Sequence, residues 1–228
     1  MIRPTKKPPV RARARRDNRD KILRAAARLF TRKGYEATTM QDIVKAAGTS
    51  IGNAYFYFEN KEALAWTLLE EAATSAWAWT DAAVADVSPG PARLAVMVMA
   101  NSINLLGANK RLTHILLLGA ETKALRERLA ERFAERIRSY ILANVPQYPL
   151  EQIDVAVAAW LGAGRNCLEQ RLVGAIDGEP RDIAAFLVRW NLRALGVPEA
   201  EIDDALSVAS RVVAGLNANS VRTAMRSA

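Results

Sequence analysis

A chain of 228 residues that is 50% hydrophobic and 25% charged has the balance of a folded globular protein and is long enough to bury a core. Its net charge of +8 is uneven: residues 1–60 carry 14 Lys and Arg against 5 Asp and Glu, whereas residues 61–228 carry 18 against 19. A single cysteine, Cys167, and a single histidine, His114, exclude an intrachain disulfide and a Cys cluster for zinc. They leave only scattered carboxylates from which to build an enzyme.

The basic surplus is the electrostatic footprint of a polyanion binder, and a membrane surface would attract the same charge. Double-stranded DNA is one polyanion that this charge would suit, and neither a cofactor nor a metal is called for. No apolar run reaches the length of a bilayer span, the densest being 94–100 and 115–120. The N-terminus lacks the apolar region of a signal peptide, and its three prolines count against a transit peptide. The expectation is a cytoplasmic protein without a membrane partner.

Abundant alanine, dominant helix formers and scarce alternating runs predict an all-α chain of about nine helices or more. Residues 1–16 hold seven Arg or Lys, no acid and prolines at 4, 8 and 9, and are expected to form a disordered basic arm. Arg13, Arg15 and Arg16 either lie along phosphates and reach into a minor groove, or belong to a solvated tail. From Asp17 or Asn18 to Lys33 the pattern is helical, with Ile22, Ala26, Leu29 and Phe30 as the buried stripe and Gly34 as the stop.

Next comes TMQDIVKAAGTSIGNAYFYF, residues 39–58. Thr39 and Asp42 form a capping-box-like pair at the start of a short helix whose face is Met40, Ile43, Val44 and Ala47. Gly48 ends that helix and Ser50 caps a second. Two short helices about a glycine turn make either an ordinary helical hairpin or a helix-turn-helix. In the latter, Thr49, Ser50, Asn53 and Phe56 lie where side chains reach bases or phosphates. Gly52 permits close backbone approach, and Thr39 and Lys61 sit at helix N-termini that favour phosphate oxygens. The second helix has no Arg or Lys, which argues against bidentate guanine reading. Asn60 caps a further helix starting at Lys61.

The order Ile22-Leu23, Ala25-Ala26, Leu29-Phe30, Gly34-Tyr35, Thr38-Thr39, Asp42-Ile43, Ala47-Gly48, Ser50, Gly52, Tyr55, Phe58, Lys61-Glu62, Leu64 resembles, without a gap, the DNA-binding domain of the tetracycline-repressor-like (TetR) family. The resemblance covers roughly residues 18–65, and beyond it only the architecture is similar. Val44-Lys45 and Tyr57 depart from the common pattern without endangering the fold. The resemblance implies a ligand-responsive transcriptional repressor acting as a homodimer on a palindromic operator, with Tyr55 as a phosphate-contacting phenol. The implied division is residues 17–64 as the helix-turn-helix domain, its last helix continuing to about 80, and 65–228 as an effector-binding and dimerisation domain.

In that second part, helices are expected over 92–108, 111–120, a long one through Leu125, Leu129, Phe133, Ile137 and Ile141, then 150–173, 181–195 and 198–217. The family's C-terminal helices enclose a pocket for a small, partly apolar effector. Its candidate lining here is Trp66, Asn101, Asn104, His114, Glu121, Trp160 and Asn166; core packing explains each aromatic as well, His114 is alternatively a packed or exposed helix residue, and the polar groups are alternatively satisfied by protein partners or water. The 150–173 helix sets Trp160 beside small residues at 159 and 162–164. With the two helices after it, it resembles the family's dimer-forming four-helix bundle; alternatively its glycines make room within one subunit.

Overall fold

The computed structural model describes residues 10–107 and 122–216. Among them are nine α-helices, one short 3-10 turn and no strand: α1 (Val10–Lys33), α2 (Met40–Ala47), α3 (Ile51–Tyr57), α4 (Lys61–Val84), α5 (Pro91–Leu106), α6 (Lys123–Asn144), α7 (Ile153–Leu172), α8 (Pro180–Ala194) and α9 (Glu199–Gly215), with the 3-10 turn at Leu150–Gln152. The expected helix over 111–120 and the chain end after Leu216 fall outside the described residues. The all-α expectation holds, with a helix-turn-helix domain ahead of a helical one.

Helix α1 starts at Val10 rather than at Asp17 or Asn18, so the expected disordered arm loses its last seven residues to it. The cause is local. After Pro9 the sequence VRARARR holds only Val, Ala and Arg, mostly strong helix formers, and nothing in it breaks a helix.

The chain divides into two compact units, the change falling within α4 after Glu70. In the first, α1 packs on α2 and α3. Its core is Ile22, Ala26, Leu29 and Phe30 of α1 with Ile43, Val44, Ala54, Phe58 and Leu64, all buried. These are the stripes that helical spacing marks out. Val44 faces inward despite its departure from the family pattern.

In the second unit α5 is the central helix, packed against α8 and α9. Every residue from Leu94 to Ala100 is buried, as befits a helix covered on several sides. Pro91 opens α5 after Gly90, whose N–H donates to Asn144 Oδ1 at 2.9 Å. Arg136 reaches Asp81 of α4, and Arg138 reaches Asp154 of α7, so these arginines of α6 tie helices together rather than only decorating one face. Gly196 at φ +75 ends α8, the N–H of Val197 reaches back to the Leu192 carbonyl, and Val197 is buried. Among the described residues no helix is long and apolar enough to cross a membrane.

Candidate nucleic-acid interface

Each short helix of the pair is fixed by its own cap. At α2 the N–H of Asp42 donates to Thr39 Oγ1 at 3.1 Å, and the N–H of Thr39 donates to Asp42 Oδ2 at 3.1 Å, closing a reciprocal box. Lys33 Nζ adds a contact of 3.0 Å to the same carboxylate. The Thr39 backbone N–H, then the Lys33 ammonium and the Thr39 hydroxyl, lower the Asp42 pKa to about 2.

Gly48 stands at φ +65, ψ +42, a backbone that costs a residue with a Cβ about 1–2 kcal/mol. Two residues later Ser50 Oγ accepts the Asn53 N–H at 3.2 Å and starts α3. Asn53 Nδ2 donates to Thr49 Oγ1 at 2.7 Å, which leaves one amide hydrogen and the side-chain oxygen for another partner. At the next turn Asn60 Oδ1 accepts the Ala63 N–H at 2.8 Å and starts α4.

Only seven residues long, α3 buries little beyond Ala54. Tyr55 is 51% and Phe56 65% exposed, and Ile51 and Gly52 are also at the surface. Phe56 is therefore not a core residue. Among the described residues, no atom outside its own turn of helix lies within 4 Å of a Cβ built on Gly52, so internal packing does not demand a glycine there. A glycine inside a helix costs about 0.5–1 kcal/mol against alanine.

Arg15 of α1 stands over the Phe56 ring, 5.5 Å from its centroid, and Arg19, one turn on, stands 5.8 Å over Phe58. The positive charge beside α3 is supplied by α1. Arg16 is exposed on the same helix, and the side chain of Arg13 lies outside the described residues.

Lys61 has a structural task that sequence spacing did not reveal. Its ammonium donates to the carbonyls of Tyr35 at 2.9 Å and Glu36 at 3.3 Å and lies 4.3 Å from the Tyr35 ring centroid. Two of its three N–H donors are thus committed within the chain. The cover that Arg19 gives the buried Phe58 ring was missed as well, although its spacing of four from Arg15 was legible.

The candidate effector residues that the structure describes are shared between the two units. Trp66 is buried in the first unit. Asn101, half-buried in α5, accepts from Thr80 Oγ1 at 2.9 Å and donates to Met97 Sδ at 3.3 Å, so its partners are internal. Asn104 is half-buried, and Asn166 is exposed on α7. His114 and Glu121 lie outside the described residues. Trp160 lines a half-open groove of about 350 Å³ between α7 and α8, with Tyr148, Gln152, Val155 and Trp190. Beside it the side chains of Leu150, Val155, Phe186 and Trp190 are exposed. This is an open apolar face rather than an enclosed chamber.

The geometry defines a class: an all-helical protein with a capped helix-turn-helix near its N-terminus and a separate helical unit after it. Comparison with known proteins narrows it. Residues 22–66 match the family model of bacterial regulatory proteins, tetR family. The transcriptional regulator QacR of Staphylococcus aureus (strain Mu50) is 50% identical over 46 residues, which are 20% of this chain and 24% of that protein. The matched stretch thus spans about a quarter of the length of such curated relatives.

Solved structures extend the likeness of fold over most of the chain. The fatty acid degradation regulator FadR of Bacillus halodurans superposes with a TM-score of 0.64 at 17% identity, over 85% of this chain and all of that one. NalD of Pseudomonas aeruginosa, the secondary repressor of the MexAB-OprM multidrug efflux pump, gives 0.63 at 22% identity, over 82% and 99%.

Proposed function

We propose that the protein is a homodimeric transcriptional repressor that binds a palindromic operator through α2 and α3 and responds to a small, partly apolar effector. The observation that carries this reading is α3 itself. It is capped at Ser50, set by the left-handed Gly48, and offers Tyr55, Phe56 and the bare backbone of Gly52 to solvent beside the arginines of α1. A helix needed only for packing has no reason to expose two large aromatics next to a concentration of cations. Thr39, Thr49, Ser50, Asn53 and Tyr55 then supply hydroxyl, amide and phenol contacts. Arg13, Arg15 and Arg16 supply charge to phosphates. Lys61, held by two carbonyls, reaches a phosphate with its remaining donor at most.

The dimer reading is supported by the exposed apolar side chains of α7 and α8, among them Val155 at 72% and Phe186 at 64%, on a face of two adjacent helices. A two-fold axis would pair two copies of α3 at about the 34–36 Å of one helical turn of duplex. The effector reading draws support from Trp77 of α4. Its indole N–H is buried with no hydrogen-bond partner among the described residues, and its ring meets Phe133 of α6 edge-on at 5.3 Å. An acceptor oxygen on an apolar effector would satisfy that donor. The chain acts where its DNA is, in the cytoplasm.

Selection of bound fragments from genomic DNA, followed by a salt titration on the best fragment, tests the reading. The expected outcome is a recurring inverted repeat, bound with a steep negative slope of log affinity against log salt. Binding without preference among duplexes would mark a general polyanion binder and overturn it.

A further inference from the structure

We propose that Arg15 determines sequence preference at the duplex: its guanidinium, stacked on the exposed ring of Phe56, holds that ring in place to read a thymine methyl group. The inference rests on the operator-binding reading.

Phe56 is a large aromatic side chain left 65% exposed, and the core of the first unit does not use it. Two contacts nevertheless hold its ring. Arg15 lies over it at 5.5 Å, and Tyr57 meets it nearly perpendicular, at 86°, with centroids 5.0 Å apart. A ring held on two sides loses little further freedom on binding, which favours affinity and a single binding pose. Apolar contact with the 5-methyl group of thymine is what a phenylalanine offers in a major groove. With no Lys or Arg of its own, α3 has little else besides Asn53 with which to distinguish bases.

The guanidinium suits the task because stacking occupies its flat face and leaves its edge N–H groups free for a phosphate. Arg15 would thus join a backbone contact to a base contact. Arg19, one turn further along α1, provides an internal control. It stands over Phe58, which is buried, so it covers the core rather than a ring that faces outward.

The experiment uses the full-length protein and the duplex recovered by selection. Affinities are measured on that duplex and on versions in which each thymine in turn is replaced by uracil, which removes one methyl group and nothing else. The wild type should lose about fourfold at one position in each half-site, the worth of one methyl group taken out of water. Phe56→Ala should be indifferent to the replacement. Arg15→Ala should shrink the ratio to about twofold or less, losing the two- to fivefold of an exposed cation–π contact. The double variant should respond no differently from Phe56→Ala, and Arg19→Ala should keep the wild-type ratio. Circular dichroism should show unchanged helix content for Arg15→Ala and Phe56→Ala, since both side chains are at the surface.

If Arg15→Ala weakens every duplex by one common factor and leaves the thymine-to-uracil ratio intact, Arg15 is a phosphate contact only and the proposal is wrong. A wild type that prefers a sequence but ignores every methyl group also overturns the proposal, leaving operator binding in place. A wild type without any sequence preference overturns both.

Discussion

Two regions of this protein leave large aromatic side chains in water, and they do so in different electrostatic company. On α3, Tyr55 and Phe56 stand beside the arginines of α1, with Arg15 lying directly on the Phe56 ring. On α8, Phe186 and Trp190 are exposed as well, but the two arginines nearest Trp190 in sequence are paired with acids. Arg189 pairs with Asp203 at 2.6 Å, and Arg193 forms a two-point pair with Glu199. Exposure alone does not name a partner. A cationic aromatic surface suits a polyanion whose bases offer apolar edges, whereas a neutralised one suits another apolar protein surface.

The sharpest way to break the comparison is to remove one phenylalanine at a time. Phe30→Ala deletes a fully buried ring and should cost about 3–5 kcal/mol in chemical denaturation of the first unit, with DNA binding lost alongside. Phe56→Ala should stay within about 0.5 kcal/mol of the wild type. Comparable losses from both would mean that α3 is a packing element.

Next in size is the α8 face. Phe186→Glu should raise the dimer dissociation constant about thirtyfold, about 2 kcal/mol, in sedimentation equilibrium, while helix content is kept. A dimer of unchanged affinity would exclude this face as the contact between copies.

The smallest effect concerns pH. The Asp42 carboxyl has its pKa lowered from 3.8 to about 2, so its contribution to stability is fully present above about pH 4 and fades as pH falls through about 2. Asp42→Asn should lose that contribution at neutral pH and converge on the wild type as pH falls through about 2, which flattens the acid limb of the stability profile. An unaltered acid limb would mean that the box contributes nothing to the fold.

The first unit was legible in the sequence because its instructions are local. A cap and its partner lie three residues apart, glycine marks a left-handed turn, and Ile22, Phe30 and Ile43 follow helical spacing onto one core. The start of α1 was misread because prolines and charge in residues 1–9 coloured the reading of residues 10–16, whose own composition favours helix. Contacts between distant residues left weaker traces. Nothing about Lys61 announces that its ammonium ends on carbonyls 25 and 26 residues back. The second unit was harder still. Asn101 has the polarity of a ligand contact, yet Thr80 and Met97 satisfy it, and Trp160 lines an open groove rather than a chamber. Polar residues in apolar helices mark a need for partners without saying whether those come from the protein or from outside.

The anchoring of Lys61 also bears on how movement passes through the first unit. Its side chain ties the opening turn of α4 to the loop that leads into α2, through two carbonyls and the face of Tyr35. That loop is short, and Thr38, buried within it, donates its hydroxyl to the Gly34 carbonyl at 2.8 Å. A shift or tilt of α4's first turn therefore cannot be absorbed as slack. It would draw on the peptide planes just ahead of the Thr39 box.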